Sequence, residues 1–476
     1  MSQSKEVDVL IVGGGLAGLA TALMLVQGDS GNRHGHGSSS VADGQKIALW
    51  EAKRRLGGRT GSFEPPHARK SSNHESIDYC QHVAMKCNDA IQQFVKMLGQ
   101  EASWQPQDTL HFYGPDGKYS PLSQLPFAPA PLHIGHWLWK WPGLSFYDRL
   151  SVARGMLKLN RLRQGSPELE EISGEVWFRK HGQTDNAIES FWGTIIVSAL
   201  GEQCDRVSMA AVTKVLQDGF LRRRNAFHLL VPTKPLDTLF NQEPKRVLKE
   251  ANVDLRFSTP LRKISRQSRG FLVQSTDSSE SMIARKVVLA VPWHQLGHIE
   301  FELEASEEDL FQPRLEAAST LEHSPITGIH TWWDRPWLKT PHAVLVGRLC
   351  QWVFPQPEGN FPGGVSQHSE QYYQIVVSAS RDLPKSRDLR DLVKEDLSCV
   401  FREVRQSQLT RLQVVTDPRA VFSVQVGSEA KRPDAKTVVE GLWLAGDWTK
   451  TGWPATMEGA IRSGFHVARQ IAGAVN

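Results

Sequence analysis

The chain of 476 residues carries 55 lysines and arginines against 51 aspartates and glutamates, a formal net charge of +4 spread along its length. That length exceeds one simple core, so two domains are expected, and weak, diffuse charge argues against a nucleic-acid partner. Five scattered cysteines, Cys80, Cys87, Cys204, Cys350 and Cys399, lack C-x-x-C spacing and read as reduced thiols of a cytoplasmic protein with no metal site.

The N-terminus, MSQSKEVDVLIVGGG, lacks the basic, apolar and small-residue succession of a signal peptide, and no run of about 18 apolar residues occurs. Neither export nor a membrane span is expected, and surface attachment stays open. Val7 to Val12 predicts a buried strand, and GGGLAGLATALMLVQ then switches to helical spacing, with Leu16, Leu19, Leu23 and Val26 on one side. Residues 28–45, rich in Gly, Ser and His, read as a surface insertion, and His34 and His36 within it as spacers rather than metal ligands.

KIALWEA is a second strand ending in Glu51, RRLGGRTGSF a glycine-rich turn, and residues 66–76 a second polar insertion. A helix is expected from about His82. Residues 100–235, rich in Trp, Pro and Leu, read as loops and helices. Strands return at VDLRFSTPLRKI, GFLVQST and RKVVLAVPW as a β-meander, then at SPITGIHTWWD and YYQIVVSAS, before a helix near 386–407. A closing strand, 441–446, and a helix, 455–472, end the chain. No internal repeat is found.

Gly13, Gly15 and Gly18 fit G-x-G-x-x-G between a strand and a helix, the context that gives the pattern meaning. The first permits the tight turn, the second lets backbone approach a pyrophosphate, and the third lets helix and strand pack closely. The helix start at Leu16 and Ala17 then faces phosphate charge. A carboxylate for the adenosine ribose belongs at the end of the second strand, roughly 20 residues after the turn. Glu51 lies 33 positions after Gly18, and discounting the insertion restores it to that place. Gly57, Gly58 and Arg59 make a second turn with a cation to neutralise phosphate, needed only by a cofactor extending past the pyrophosphate. FAD is therefore expected rather than NAD.

These motifs, with WLAGDWTKTGWPATMEGAIRSG near the C-terminus, resemble the amine oxidase and phytoene desaturase superfamily of FAD proteins. Within it, the C-terminal motif is similar to that of the squalene-associated FAD-dependent desaturases, now understood as hydroxysqualene dehydroxylases. The resemblance continues through DYCQH (78–82), APLHI (130–134), VPTKPLDTLF (231–240) and QWVF (351–354) and spans nearly the whole chain.

It implies an α/β fold with a Rossmann-like FAD-binding domain of the GR2 type, assembled from 1–100, 236–300 and 416–476. A discontinuous substrate-binding domain, 101–235 and 301–415, is inserted in it. The expected cofactor-binding set is Gly13, Gly15, Leu16, Ala17, Gly18, Glu51, Ala52, Gly57, Gly58, Arg59, Leu261, Gly446, Asp447, Thr456 and Met457. Asp447 is expected to accept hydrogen bonds from ribityl or pyrophosphate-side hydroxyls. The helix N–H groups near Met457 are expected to face the flavin edge where negative charge gathers on reduction. Trp448 and Trp453 either line the flavin or sit in the core, and Glu458 reads as a helix-start carboxylate before a catalytic acid.

The implied reaction is reductive removal of the hydroxyl of hydroxysqualene to give squalene, on a route towards hopanoids, and it needs a general acid beside an apolar substrate. His82, with Gln81, is the catalytic candidate because the resemblance places its loop near the flavin and a histidine titrates near neutrality. The family has glycine where Cys80 stands, which narrows the pocket and brings activity into question. A C30 isoprenoid substrate arrives from a bilayer or an upstream squalene-pathway enzyme. Residues 125–144, LPFAPAPLHIGHWLWKWPGL, therefore either touch the inner face of the membrane peripherally or form a buried wall of the substrate domain. A phytoene- or squalene-type desaturase, an amine oxidase and a silent FAD-binding scaffold are the alternative readings.

Overall fold

The computed structural model describes residues 5–28, 44–63, 77–276, 280–356, 370–384 and 386–473. Most of both expected insertions, His34 and His36 included, lies outside these residues. The fold is mixed α/β, built on two large sheets.

The run VDVLIV is apolar on both sides, as a strand covered on both faces must be. It forms β1 (Lys5–Val12), which pairs in parallel with β2 (Ile47–Glu51) and with Ser281–Leu289. Between β1 and β2 the chain runs through α1 (Leu16–Gln27), buried from Leu16 to Leu25. The helix is enclosed because the C-terminal helix Met457–Gly473 packs on it: an ideal Cβ at Gly464 would lie 2.2 Å from the Ala17 carbonyl oxygen.

The strand order of this eight-stranded sheet is Asp254–Phe257, β2, β1, Ser281–Leu289, Gly270–Ser275, Leu261–Gln267, Glu300–Glu302. Leu442–Leu444 runs parallel to Ser281–Leu289. The expected meander is present from Leu261 to Leu289, with one correction. VDLRFSTPLRKI is not one strand: it breaks at Ser258, whose φ is +56°, and Pro260, and its first half joins the far edge beside β2. Polar Ser-Thr-Pro is the turn signal that divides it.

The second sheet has seven strands, ordered Leu409–Phe422, His323–Trp333, Gln371–Ser378, Trp352–Pro355, Ala343–Leu345, Leu110–Tyr113, Tyr119–Leu122. Its last two strands come from the region read as loops and helices, where four-residue strands such as Leu110–Tyr113 are too short to show a period. The helix expected from His82 begins later, as α2 (Asp89–Met97), after a two-residue strand at Ala84–Met85. The helix near 386–407 ends at Val400. Beyond the short strands come α3 (Gly135–Lys140) and α4 (Phe146–Asn160), the latter closed at its start by a capping box between Ser145 and Asp148.

Candidate functional site

The glycine fingerprint is enforced by contact. Gly13 has φ +111° and an ideal Cβ there would lie 2.4 Å from the Ala290 carbonyl oxygen; at Gly18 it would lie 1.9 Å from the Gly13 carbonyl oxygen. Neither position admits a side chain. Gly15 differs: the nearest atom to an ideal Cβ is the Gly58 Cα, 3.9 Å away, so the two glycine turns face each other across open backbone. Gly57 N–H donates to the Gly14 carbonyl at 2.8 Å and fixes the second turn against the first.

The N-terminus of α1, from Leu16 and Ala17, has neither a side-chain cap at Gly15 nor an acidic residue in its first turn. Its first N–H groups lack intrahelical acceptors, which is the chemistry of an anion cradle. Glu51 stands at the end of β2, buried, with Oε2 accepting from Gly14 N–H at 2.7 Å and Oε1 from Lys53 N–H at 2.7 Å. A carboxylate so aimed beside an uncapped helix end and two open glycine turns fits the adenosine and pyrophosphate portion of a dinucleotide.

Other members of the expected set fall less directly. Ala52 is exposed just past Glu51, and Leu261 lies on a strand two residues beyond Thr259, whose N–H donates to the Glu51 carbonyl. Arg59 does not stand free to meet a phosphate: it donates to Asp447 Oδ1 at 2.7 Å and to the Ala420 carbonyl at 2.7 Å. One oxygen of the buried Asp447 is thus already taken by a guanidinium.

Gly446, with φ +154°, receives the Ser463 hydroxyl oxygen on its N–H at 2.8 Å; a Cβ there would strike the Trp448 indole at 2.3 Å. Trp448 itself is buried and donates to the Val291 carbonyl at 2.9 Å, a core position. Trp453 lies between Lys214 and Arg462, whose cationic groups sit 4.7 and 5.0 Å from its ring. Thr456 Oγ1 accepts from Gly459 N–H at 3.1 Å and caps the C-terminal helix, leaving the earlier N–H groups at Met457 ahead of it.

Glu458 is the helix-start carboxylate, and two of its partners lie on another helix: it accepts from Ala90 and Ile91 N–H at 3.0 Å each, and from Arg462 of its own helix at 2.6 Å. It therefore caps α2.

The segment 78–82 runs against the second sheet, where an ideal Cβ at Gly328 would lie 2.4 Å from the Tyr79 carbonyl oxygen and 3.5 Å from the Cys80 Cα. Asp78 accepts from the Ser62 hydroxyl at 2.6 Å and from Leu236 N–H at 2.9 Å; burial pushes its pKa up to about 6. His82 Nδ1 is 2.8 Å from the Cys80 carbonyl and must donate to it, leaving Nε2 as the acceptor. Burial, with a further contribution from the positive charge of Arg59, holds its pKa below the ordinary histidine value. Burial thus disfavours the protonated ring. Gln81 donates to the His82 carbonyl at 3.2 Å.

An aromatic cluster packs on this segment: Phe63 stacks on Tyr79 at 5.5 Å and meets the buried His330 edge-on at 5.6 Å, and His330 Nδ1 lies 2.6 Å from the Tyr372 hydroxyl. Of the tryptophans expected in the substrate domain, Trp137, Trp141 and Trp192 are fully buried in the core, whereas Trp139 is exposed.

Arg432 is the residue that sequence reasoning missed. Only 5% exposed, it donates to the carbonyls of Asp447, Thr449 and Trp453 and to Thr451 Oγ1, so one guanidinium shapes the whole loop between the closing strand and the helix. A lone arginine 15 positions from its first partner leaves no local signal.

The model of the family described as flavin containing amine oxidoreductase matches residues 16–472. The hydroxysqualene dehydroxylase of Sinorhizobium fredii (strain NBRC 101917 / NGR234) is 23% identical, over 97% of this chain and 97% of its own length. The 15-cis-phytoene desaturase of Solanum lycopersicum is 22% identical, over 98% of this chain and 78% of its own. A solved structure of wild-type putrescine oxidase bound to putrescine superposes with a TM-score of 0.67 at 15% identity, over 98% of this chain and 99% of that one. That likeness is one of fold.

Proposed function

The chain belongs to the flavin-containing amine oxidoreductases and is an FAD-dependent oxidoreductase, and from that premise we propose that it removes the hydroxyl of hydroxysqualene reductively to give squalene. The supporting observation is likeness along the whole chain to two hydroxysqualene dehydroxylases, 23% and 24% identical over 97% and 95% of its residues.

In this reading the first turn of α1, with Gly13, Gly15 and Gly18, holds the pyrophosphate, Glu51 holds the adenosine ribose, and Gly57 and Gly58 close over them. The Arg59–Asp447 pair and the helix start at Met457 border the ring end. Bound FAD, when reduced, supplies the hydride that replaces the hydroxyl, which leaves with one proton as water. The chain must exclude water from the carbon that loses its hydroxyl, and the aromatic packing around Tyr79 keeps the side of the 78–82 segment that meets the second sheet dry.

One observation favours a second reading. With Nδ1–H committed to the Cys80 carbonyl, His82 offers a lone pair at Nε2 and no proton there. That is the need of a desaturase, in which the substrate loses a hydride and then a proton. An anaerobic single turnover separates the two. The reduced protein mixed with hydroxysqualene is expected to regain oxidised-flavin absorbance with stoichiometric squalene. No reoxidation there, with bleaching of the oxidised protein by squalene or phytoene, would replace the dehydroxylase by the desaturase.

A further inference from the structure

We propose that the face formed by residues 125–132, α3 and α4 docks on an anionic lipid bilayer. The reading is independent of the substrate assigned above.

The face is apolar where exposed surface is normally polar. Phe127 is 97% exposed, Tyr147 77%, Leu132 62%, Phe146 60% and Trp139 57%. Trp139, Phe146 and Tyr147 form a continuous tract, with Phe127 and Leu132 exposed on the segment that precedes α3. Trp139 and Phe146 rings lie 6.0 Å apart, and Phe146 and Tyr147 rings 6.1 Å. Leu125 N–H donates to the His133 carbonyl at 2.8 Å, which folds the Phe127 loop back on the start of α3. Isolated exposed apolar residues need no explanation, but a contiguous tract of large ones marks an interaction surface.

The outer side of α4 continues it. At about 100° per residue, Phe146, Leu150, Arg154, Leu157 and Lys158 fall on one side, and the buried Val152, Gly155 and Leu159 on the other. Leu157 is 53% exposed. A helix whose outward side mixes large apolar residues with cations, while its inward side meets the core, is built to lie in the plane of a membrane interface.

Charge selects the occupant. Between Gly117 and Gly165 the chain has seven lysines and arginines against one acid, Asp148. That acid is buried and spent on Ser145, Thr184 and Asn186. Arg224 adds a guanidinium at the edge, donating to the Leu125 and Pro126 carbonyls. A second copy of the chain would bring the same cations against these, whereas anionic headgroups neutralise them as the rings enter the acyl boundary.

Flotation of the flavin-loaded protein with phosphatidylcholine vesicles, with and without about 30% phosphatidylglycerol, tests this. The protein is expected to float with the anionic vesicles and to be released by salt. The triple variant Phe127→Ser, Trp139→Ser, Phe146→Ser is expected to lose binding about tenfold or more. The pair Arg154→Glu, Lys158→Glu carries the test alone if the triple variant fails to retain flavin absorbance, and it is expected to lose binding to anionic vesicles. Wild type that ignores both vesicles, or variants that bind as wild type does, would overturn the proposal. So would a wild-type dimer in sedimentation that the triple substitution makes monomeric, since the face would then belong to a second copy.

Discussion

Glu458 shows how a carboxylate in a cofactor-binding motif can serve architecture. Its side chain is fully buried, and its oxygens meet two N–H groups of α2 and the Arg462 guanidinium. Burial raises its pKa, so the ionised form is kept only by these donors. Glu458→Ala leaves buried donors without acceptors and is expected to cost roughly 3–5 kcal/mol, read as a lowered urea midpoint at unchanged slope. Glu458→Gln keeps one carbonyl oxygen and should cost less. An alanine variant as stable as wild type would remove Glu458 from this role. Residue identity was legible where backbone space demands it. Gly13 and Gly18 admit no Cβ, and Glu51 is the only acid at its strand end, so both announce themselves in sequence. Arg432 and Glu458 were not legible in their true roles, because their partners are carbonyls and N–H groups brought together only by the fold.

Elements were legible in proportion to their length and to the strength of the residues that bound them. The strand, glycine turn and helix of β1 and α1, and the closing helix, were readable because long apolar runs and glycines delimit them. Strands of two to four residues, such as Ala84–Met85 and Leu110–Tyr113, carry too few alternations to be seen. Among the elements, the contact between α1 and the C-terminal helix is the most exacting. At Gly464 an added Cβ would lie 2.2 Å from the Ala17 carbonyl, 2.8 Å from the Ala20 Cβ and 2.9 Å from Thr21 N. Gly464→Ala gains about 1 kcal/mol of helix propensity and loses more to overpacking, about 1–3 kcal/mol or beyond since the obstacle is backbone. The helices must part, and Ala17 lies in the first turn that faces the proposed pyrophosphate. Weaker FAD retention on dilution is therefore expected together with a lower melting temperature. Lower stability with unchanged flavin affinity would show that α1 holds its place without this contact.

At the scale of the molecule, the largest buried cluster joins the two sheets: Leu10 and Trp50 of the first share it with Phe112 and Val344 of the second. Loss of one sheet should therefore carry the other with it. Acid supplies the means, because the second sheet contains histidines folded in as neutral rings. His342 is fully buried, with Nε2 accepting from His111 N–H at 3.2 Å and Nδ1 2.5 Å from Gln107 Oε1. Burial, then the neighbouring His111, lowers its pKa to about 3, and burial lowers that of His330 to about 4. The unfolded chain takes up protons at these rings below about pH 6.5 while the folded one does not, so their stabilisation is complete above that pH and is lost as pH falls towards 3. Each contributes up to about 1.4 kcal/mol per pH unit in that window. Asp78, Glu170 and Glu458, with raised pKa values, act in the opposite sense, but they are three carboxyls against a larger number of lowered histidines. The net expectation is falling stability from about pH 6.5 to 4, with flavin release and loss of tryptophan fluorescence at one midpoint. His342→Gln, which keeps a donor and an acceptor but cannot be protonated, should flatten the slope. Flavin release well before the fluorescence change would mean that the two sheets unfold separately, despite the core they share.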